Sequence, residues 1–357
     1  MSLKYTDPQR MQITKETQFK KLIVHIVGNK QKEEPLKLSQ SCTSLSPDFS
    51  ETLLNFFLSS FSTDDTFHFS DVISSTKVLP KKIAKIFESQ AEFERDSQDI
   101  AQFLYDSCNQ PNIKKGELYV TYIEHLRYGD QEVNAVGIFK SEHKETYLKL
   151  KETTDGFELN REEGINPQKI DKGALIINTD AEDGYRILLI DKVKKSDTAK
   201  FWKETFLNAK LLCDDYGLTK QYMDLTRNFI NDVCHAQNEI EPVQQVEIVS
   251  ETLDYFNNAE TFDKKEFKDK VLKPYPGKRE LFDEYQKEWE KNKKVELKDQ
   301  FEITDSALEK AKQRFKHVLK LDTNFHVYIH GSQKLIEKGY DAKRGKYYYK
   351  LYFDQEL

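Results

Sequence analysis

Residues 116–193 constrain the fold of this chain more than any other stretch. Six short runs follow one another there: "GELYVTYIEHLRY", "EVNAVGIFKS", "ETYLKLKE", "GFELNRE", "GALIINT" and "YRILLIDKV". Most are rich in β-branched and aromatic residues, and Gly, Asp or Asn marks most of the gaps between them. The gaps are too short for crossover helices, so neighbouring runs must pair antiparallel. A sheet of this kind needs a second layer to cover its apolar side, and helical patterns elsewhere in the chain supply it.

The flanking sequence reads accordingly. "TQFKKLIVHIVGN" (16–28) is a first strand, and "PLKLSQSCTSL" is expected beside it. Ser46, Pro47 and Asp48 supply an N-cap, a proline at the first helical position and an acid in the first turn. Leu53, Leu54, Phe56, Phe57 and Phe61 place an apolar stripe on that helix. Pro80 opens a second helix with Ile83, Ile86 and Phe87 inward, and a third runs over about 90–107. Beyond residue 195 the period is helical almost to 320. Leu218, Tyr222, Leu225, Phe229 and Val233 recur at helical spacing, as do Val246, Val249, Leu253 and Phe256. Two terminal strands, 324–330 and 346–353, close the chain, with Arg344 and Gly345 as a hairpin turn. The expected fold is α+β: an antiparallel-sheet domain over 1–195 and a mainly helical domain over 196–357. Aromatic residues make up 12% of the chain, which argues for folded domains and against disorder.

The common signatures of chemistry are missing. Only 13 glycines occur in 357 residues, and neither GxGxxG nor GxxxxGK[ST] is among the motifs. HExxH, GxSxG and EF-hand patterns are likewise not found. His326 and His330 share a strand face but stand about 13 Å apart by strand rise, too far to share one zinc. Cys234–His235 has no second pair at ligand spacing. His25, inside "LIVHIV", reads as a satisfied core histidine. Cys42, Cys108, Cys213 and Cys234 are scattered, which fits a reducing compartment. The start lacks a signal-peptide core, and no apolar run reaches membrane-span length. The expectation is a cytoplasmic protein without catalytic residues, metal or cofactor.

Charge is uneven along the chain. The formal net charge is −6, so no global basic field draws in nucleic acid. Residues 263–357, however, hold 23 Lys and Arg against 18 Asp and Glu. Within "SALEKAKQRFKHVLK", read as one helix, Leu308, Ala311, Phe315, Val318 and Leu319 form the inner stripe. Lys312, Lys316 and Lys320 line a second stripe at i, i+4 spacing, and Lys310, Arg314 and His317 a third. Such a helix suits a phosphate backbone, although an ordinary solvated lysine face has the same pattern. In the segment "DAKRGKYYYKLYF", Lys343 and Arg344 precede a strand. Its residues Lys346, Tyr348, Lys350 and Tyr352 point one way, and Tyr347, Tyr349, Leu351 and Phe353 the other. The first set alternates cation and ring, as a stacking platform does, and as the lysine-studded edge of a sheet also does. The second set reads as a core face.

Several stretches, in order, resemble the bacterial nucleoid-associated proteins of the NdpA (YejK-like) type. "LIVHIV", with His25, resembles the family's opening strand. The segment "LNREEGINPQKIDKGALIINTDAEDGYRILLIDKVKKSDTAKFWKETFLNA" carries an Asn-Pro turn and two apolar strands. A helix start with Lys195, Ala199, Phe201, Trp202, Phe206 and Leu207 follows. The helix containing Phe229 and the closing "FHVYIHGSQKLIEKGYDAKRGKYYYKLYF" complete the likeness. The resemblance implies residence on the bacterial nucleoid and association with DNA. It transfers no DNA-contacting residues, so candidates come from charge alone: Lys310, Lys312, Arg314, Lys316, Lys320, Lys343, Arg344, Lys346, Tyr348 and Lys350. The expected partner is double-stranded DNA, bound with little sequence preference. Other chromosome-associated proteins and a homodimer are also compatible with the sequence. The competing reading is an adaptor that reaches the nucleoid through a partner without touching DNA.

Overall fold

The computed structural model describes residues 11–61, 65–70, 78–108, 110–166, 170–191, 200–235, 242–272, 277–315, 317–321, 323–329 and 335–355. The chain divides into two compact units, Met1–Leu212 and Cys213–Leu357. Lys195, Ala199, Lys316 and His330, singled out above, lie outside the described residues.

The first unit is built on one antiparallel sheet. Its strands are β1 (Met11–Gln12), β2 (Gln18–Val27), β3 (Phe67–Phe69), β4 (Gly116–Tyr128), β5 (Gln131–Ser141), β8 (Lys172–Ile177), β9 (Arg186–Asp191) and β10 (Ala209–Leu211). They run in the order β1-β4-β5-β8-β9-β3-β10, with β2 also on β4. Four of the six runs expected as a meander over 116–193 form its centre, as β4, β5, β8 and β9; the third and fourth runs leave the sheet, so β5 pairs with β8. The register sets Ile138 opposite Ala174 and Val120, so side chains there alternate between two faces, and the register shifts only farther along β4, between Ile123 and Leu126. Both faces are covered. Helix α1 (Pro47–Leu58) lays Leu54 and Leu58 on Ile123, Ala135, Leu175 and Leu188. On the other face α2 (Val78–Glu88) and α3 (Phe93–Ser107) bring Ile83, Ile86, Ile100 and Leu104 onto Val120, Val136, Ile138 and Ile176. Double burial is why these strands read as near-continuous apolar runs. Phe201, Trp202 and Phe206, in a π-helical stretch Phe201–Phe206, join this same core.

The expected neighbour strand "PLKLSQSCTSL" forms only a single bridge, Lys37 to Ile26. His25 accounts for part of this arrangement. Its ring is 1% exposed, and Nδ1 accepts the Ser39 N–H at 3.1 Å. Nε2 therefore carries the proton and donates to Ser97 Oγ at 3.2 Å, while Ser97 donates to the Glu94 carbonyl at 2.7 Å. Burial pushes the ring's pKa down to about 4. A neutral ring that donates to the serine oxygen ties two segments together and cannot take the hydroxyl's proton.

Between β5 and β8 the chain runs out into β6 (Glu145–Thr153) and β7 (Gly156–Gly164), a two-stranded arm paired only with itself. Every residue of β6 is exposed.

The second unit contains α4 (Asp215–Phe229), α5 (Pro242–Asn258), α6 (Lys264–Val271), α7 (Lys278–Lys293) and α8 (Asp305–Lys312). A small ladder, β11 (Thr261–Asp263) with β12 (Gln300–Glu302), sits among them. The core is aromatic: Tyr222 lies 4.2 Å from Phe262 and Phe262 4.7 Å from Phe301, measured between ring centroids. Asp214 and Asp263 cap α4 and α6 by accepting the Gly217 and Glu266 N–H groups.

The single helix expected through residue 320 does not form. α8 ends at Lys312, Phe315 turns into the core, and the chain continues as β13 (His317–Leu321). β13 pairs antiparallel with β14 (Phe325–Ile329). "HVLKL" has the alternation of a strand, and the nearby "FHVYI" offers it a partner. That pairing overrides a helical propensity that is only a weak preference. The closing segment is a second hairpin, β15 (Ile336–Asp341) with β16 (Lys346–Leu351), so the terminal strands pair with near neighbours.

Candidate nucleic-acid interface

The break after Lys312 dissolves the proposed lysine stripe. Lys312, Lys316 and Lys320 cannot share one helix face, because Lys320 stands in β13 opposite His326. The cations that remain on α8 and its following turn are engaged. Lys312 pairs with Glu309, and Lys310 Nζ lies 5.7 Å from the centroid of the Tyr216 ring. Arg314 Nη1 reaches Asp224 at 3.6 Å, and the same carboxylate meets Lys220 and Arg227.

Lys343, Arg344, Lys346, Tyr348 and Lys350 are brought together on the β15–β16 hairpin. Asp341 builds its turn. One carboxylate oxygen accepts the N–H groups of Lys343 and Arg344 at 2.9 and 3.1 Å, and the Asp341 carbonyl accepts from Gly345 at 2.8 Å. Gly345 has φ +64°, a conformation that glycine adopts without strain. Lys343 and Arg344 therefore sit on a hydrogen-bonded turn. Arg344 is 83% exposed at its side chain, with Nε 3.7 Å from Asp341.

One face of the hairpin carries Lys346, Tyr348 and Lys350 opposite Asp341, Gly339 and Glu337. A Cβ on Gly339 would stand 2.2 Å from Tyr348 Cζ, so the glycine is what lets the Tyr348 ring lie flat across the ladder. Lys350 Nζ sits 5.7 Å from that ring's centroid and 3.7 Å from Glu337. Glu337 also accepts the Tyr352 hydroxyl at 2.7 Å. The Tyr352 bond, and then the Lys350 charge, hold the Glu337 carboxyl below its usual range.

The other face corrects the sequence expectation. Tyr347, Tyr349, Leu351 and Phe353 were expected in a core, yet Tyr347 is 72% and Phe353 68% exposed, and of the four only Tyr349 is half-buried. Tyr340 joins them across the strand, its ring 5.0 Å from that of Tyr347. Alternation alone could not reveal this, because it marks sidedness and not cover. Asp341 and Glu337 were also missed, although Asp two residues before a Lys-Arg-Gly turn is a readable signal.

Among the described residues no group of three or more His, Cys, Asp or Glu is arranged to hold a metal. The ionic groups near the end of β5 satisfy one another. Lys140 bonds Glu142 at 2.8 Å, Lys172 meets Asp191 at 3.2 Å, and His143 bonds Asp171 at 2.6 Å. No helix among the described residues is long and apolar enough to cross a membrane.

Fold and surface thus define an α+β protein with an antiparallel sheet core and a protruding basic, aromatic hairpin. The model of the family "Nucleoid-associated protein YejK" matches residues 23–348, and the chain belongs to that family. A nucleoid-associated role follows from this membership. A comparison with curated proteins found no match.

Proposed function

We propose that this protein is a non-catalytic nucleoid component that binds double-stranded DNA directly, with little sequence preference, through its β15–β16 hairpin. The observation that carries this reading is the hairpin tip, where Asp341 fixes the turn and leaves Lys343 and Arg344 projecting beside Lys346 and Lys350. Cations on a two-stranded ribbon match a phosphate backbone, which supplies affinity without sequence information. The flat Tyr348 ring adds an apolar surface between Lys346 and Lys350 for a sugar or an exposed base. Lys310, Lys312 and Arg314 are secondary: the Lys312 and Arg314 side chains are 30% and 33% exposed, whereas Arg344 and Lys350, although also beside a carboxylate, are 83% and 54% exposed. The family's nucleoid association agrees with this reading.

Four lysine or arginine contacts to phosphate give a slope of about −3.6 for log K against log salt. Titration of a labelled duplex of arbitrary sequence at roughly 50 to 200 mM salt tests this. A slope near zero, or no binding at the lowest salt, would exclude direct DNA contact and leave recruitment by a partner protein.

A further inference from the structure

Near the point where the β6–β7 arm leaves the sheet after β5 and returns at β8, Asp171, His143 and Lys114 form a hydrogen-bonded row. Asp171 is 8% exposed, and its carboxylate takes three hydrogen bonds. Oδ2 accepts the Glu142 and His143 N–H groups at 2.6 and 3.2 Å, and Oδ1 accepts from His143 Nδ1 at 2.6 Å. Nδ1 therefore carries a proton. On the other side of the ring, Nε2 stands 2.8 Å from Lys114 Nζ. An ammonium has hydrogens to give and no lone pair, so Nε2 is the acceptor and the ring is neutral. The backbone of Lys114 is fixed as well. Its carbonyl accepts at 2.6 Å from Nζ of Lys140, a side chain 1% exposed that also bonds Glu142. Lys114 and His143 themselves are exposed.

A nucleophile within hydrogen-bond reach of a base, with the base oriented by a third group, is the arrangement that activates an otherwise weak nucleophile. We propose that Lys114 is a nucleophilic lysine and a modification site, which takes acyl groups from small acyl phosphates. The neutral amine attacks the acyl carbon, the C–N bond forms, and the C–O bond to phosphate breaks. Inorganic phosphate leaves with the electron pair of that bond. The surplus proton on nitrogen passes to His143 Nε2, and the Asp171 carboxylate stabilises the imidazolium until water takes the proton. An open surface admits a donor of this size. Lysines that face a carboxylate directly are the contrast. Asp106 at Lys30, Asp99 at Lys82 and Glu92 at Lys85 bond the ammonium and raise its pKa above the ordinary lysine value, which keeps the amine protonated and unreactive. Burial pushes the thiols of Cys42, Cys108 and Cys213 up to about 11, so these do not compete for the acyl group. Acylation turns the Lys114 cation into a neutral amide and removes one positive charge near the root of the arm.

The test is the initial rate at which acetyl phosphate labels each lysine of the full chain at neutral pH, read by peptide mass spectrometry. Lys30, whose side chain is 57% exposed and paired with Asp106, is the internal reference. Lys114 is expected to acetylate at least about tenfold faster than Lys30, a modest share of what a positioned base contributes. His143→Gln should bring Lys114 down to the Lys30 rate and leave Lys30 unchanged. Glutamine can accept the hydrogen bond from Lys114 but cannot take its proton, so the variant removes the base and keeps the contact. The His143 side chain is 53% exposed, and circular dichroism checks that folding is retained. A wild-type Lys114 rate no greater than that of Lys30 overturns the proposal. So does fast acetylation that His143→Gln leaves unchanged, since that rate would come from exposure alone. Neither result bears on DNA binding by the β15–β16 hairpin.

Discussion

The β5–β8 pair and the β15–β16 pair are written in the same local code and put to opposite use. Both are antiparallel, and both alternate side chains between two faces. In β5 and β8, Ala135, Val136, Ile138, Phe139, Ala174, Leu175, Ile176 and Ile177 are all fully buried. In β15 and β16 no residue is. The first pair has helices on both sides, so its side chains stabilise the fold. The second has solvent on both sides, so its side chains are available to a partner. Alternation specifies pairing; only the surroundings decide whether pairing yields core or interface.

The difference can be tested by mutation. The largest effect is expected for Phe139→Ala, since this ring is fully buried and stacks 4.2 Å from Phe57. Emptying the site should cost about 3–5 kcal/mol in a denaturant titration. A loss below about 1 kcal/mol would mean the two faces of the sheet are less tightly covered than described.

His25 gives the next effect, and its sign follows from burial. Unfolded, the ring titrates near 6.5, and folded near 4. Above pH 6.5 neither state binds the proton and stability is full. As pH falls from 6.5 towards 4, the unfolded chain takes up a proton that the native ring refuses, and stability drops by about 3 kcal/mol. Below pH 4 this contribution levels off. His25→Asn should remove that acid-side step from the pH dependence of the unfolding midpoint. An unchanged profile would assign the step to other groups.

Two glycines sharpen the comparison further. A Cβ on Gly137 would lie 2.4 Å from the Phe139 ring and 2.5 Å from Thr121 Oγ1, inside a core that cannot yield. Gly137→Ala should cost about 1–3 kcal/mol by overpacking. A Cβ on Gly339 meets only the far end of Tyr348, which can swing into solvent. Gly339→Ala should leave stability within about 0.5 kcal/mol of wild type. It should change Tyr348 fluorescence or ring chemical shifts as the side chain leaves the ladder. Equal costs at the two positions would erase the distinction between covered and open pairs.

Much of the covered region was readable from sequence. Spacing in 116–193 required antiparallel pairing, which holds for β4, β5, β8 and β9 but did not show that β6 and β7 leave the sheet, and Ser46-Pro47-Asp48 marked the start of α1, which begins at Pro47. The open region was harder to read. Residues 317–321 alternate like a strand but also continue the helical stripe of Leu308 and Ala311, and only the presence of "FHVYI" as a partner decides between the two. Of the basic candidates, the hairpin set was legible as a strand and turn, while the helical set depended on a helix that stops at Lys312. Exposure of Tyr347 and Phe353 left no local mark, because what covers a face lies elsewhere in the molecule. The arm's open leucines were missed for the same reason.

The measurement that bears most directly on the account is the salt-dependent DNA titration of a variant with Lys343, Arg344, Lys346 and Lys350 all changed to Gln, run beside wild type. Removing one lysine–phosphate or arginine–phosphate pair lowers the magnitude of the log–log slope by about 0.9. The account predicts that the variant's slope collapses towards zero and its binding fails at all but the lowest salt, with folding unchanged. A variant that keeps the wild-type affinity and slope would contradict it and place the DNA-binding surface away from this hairpin.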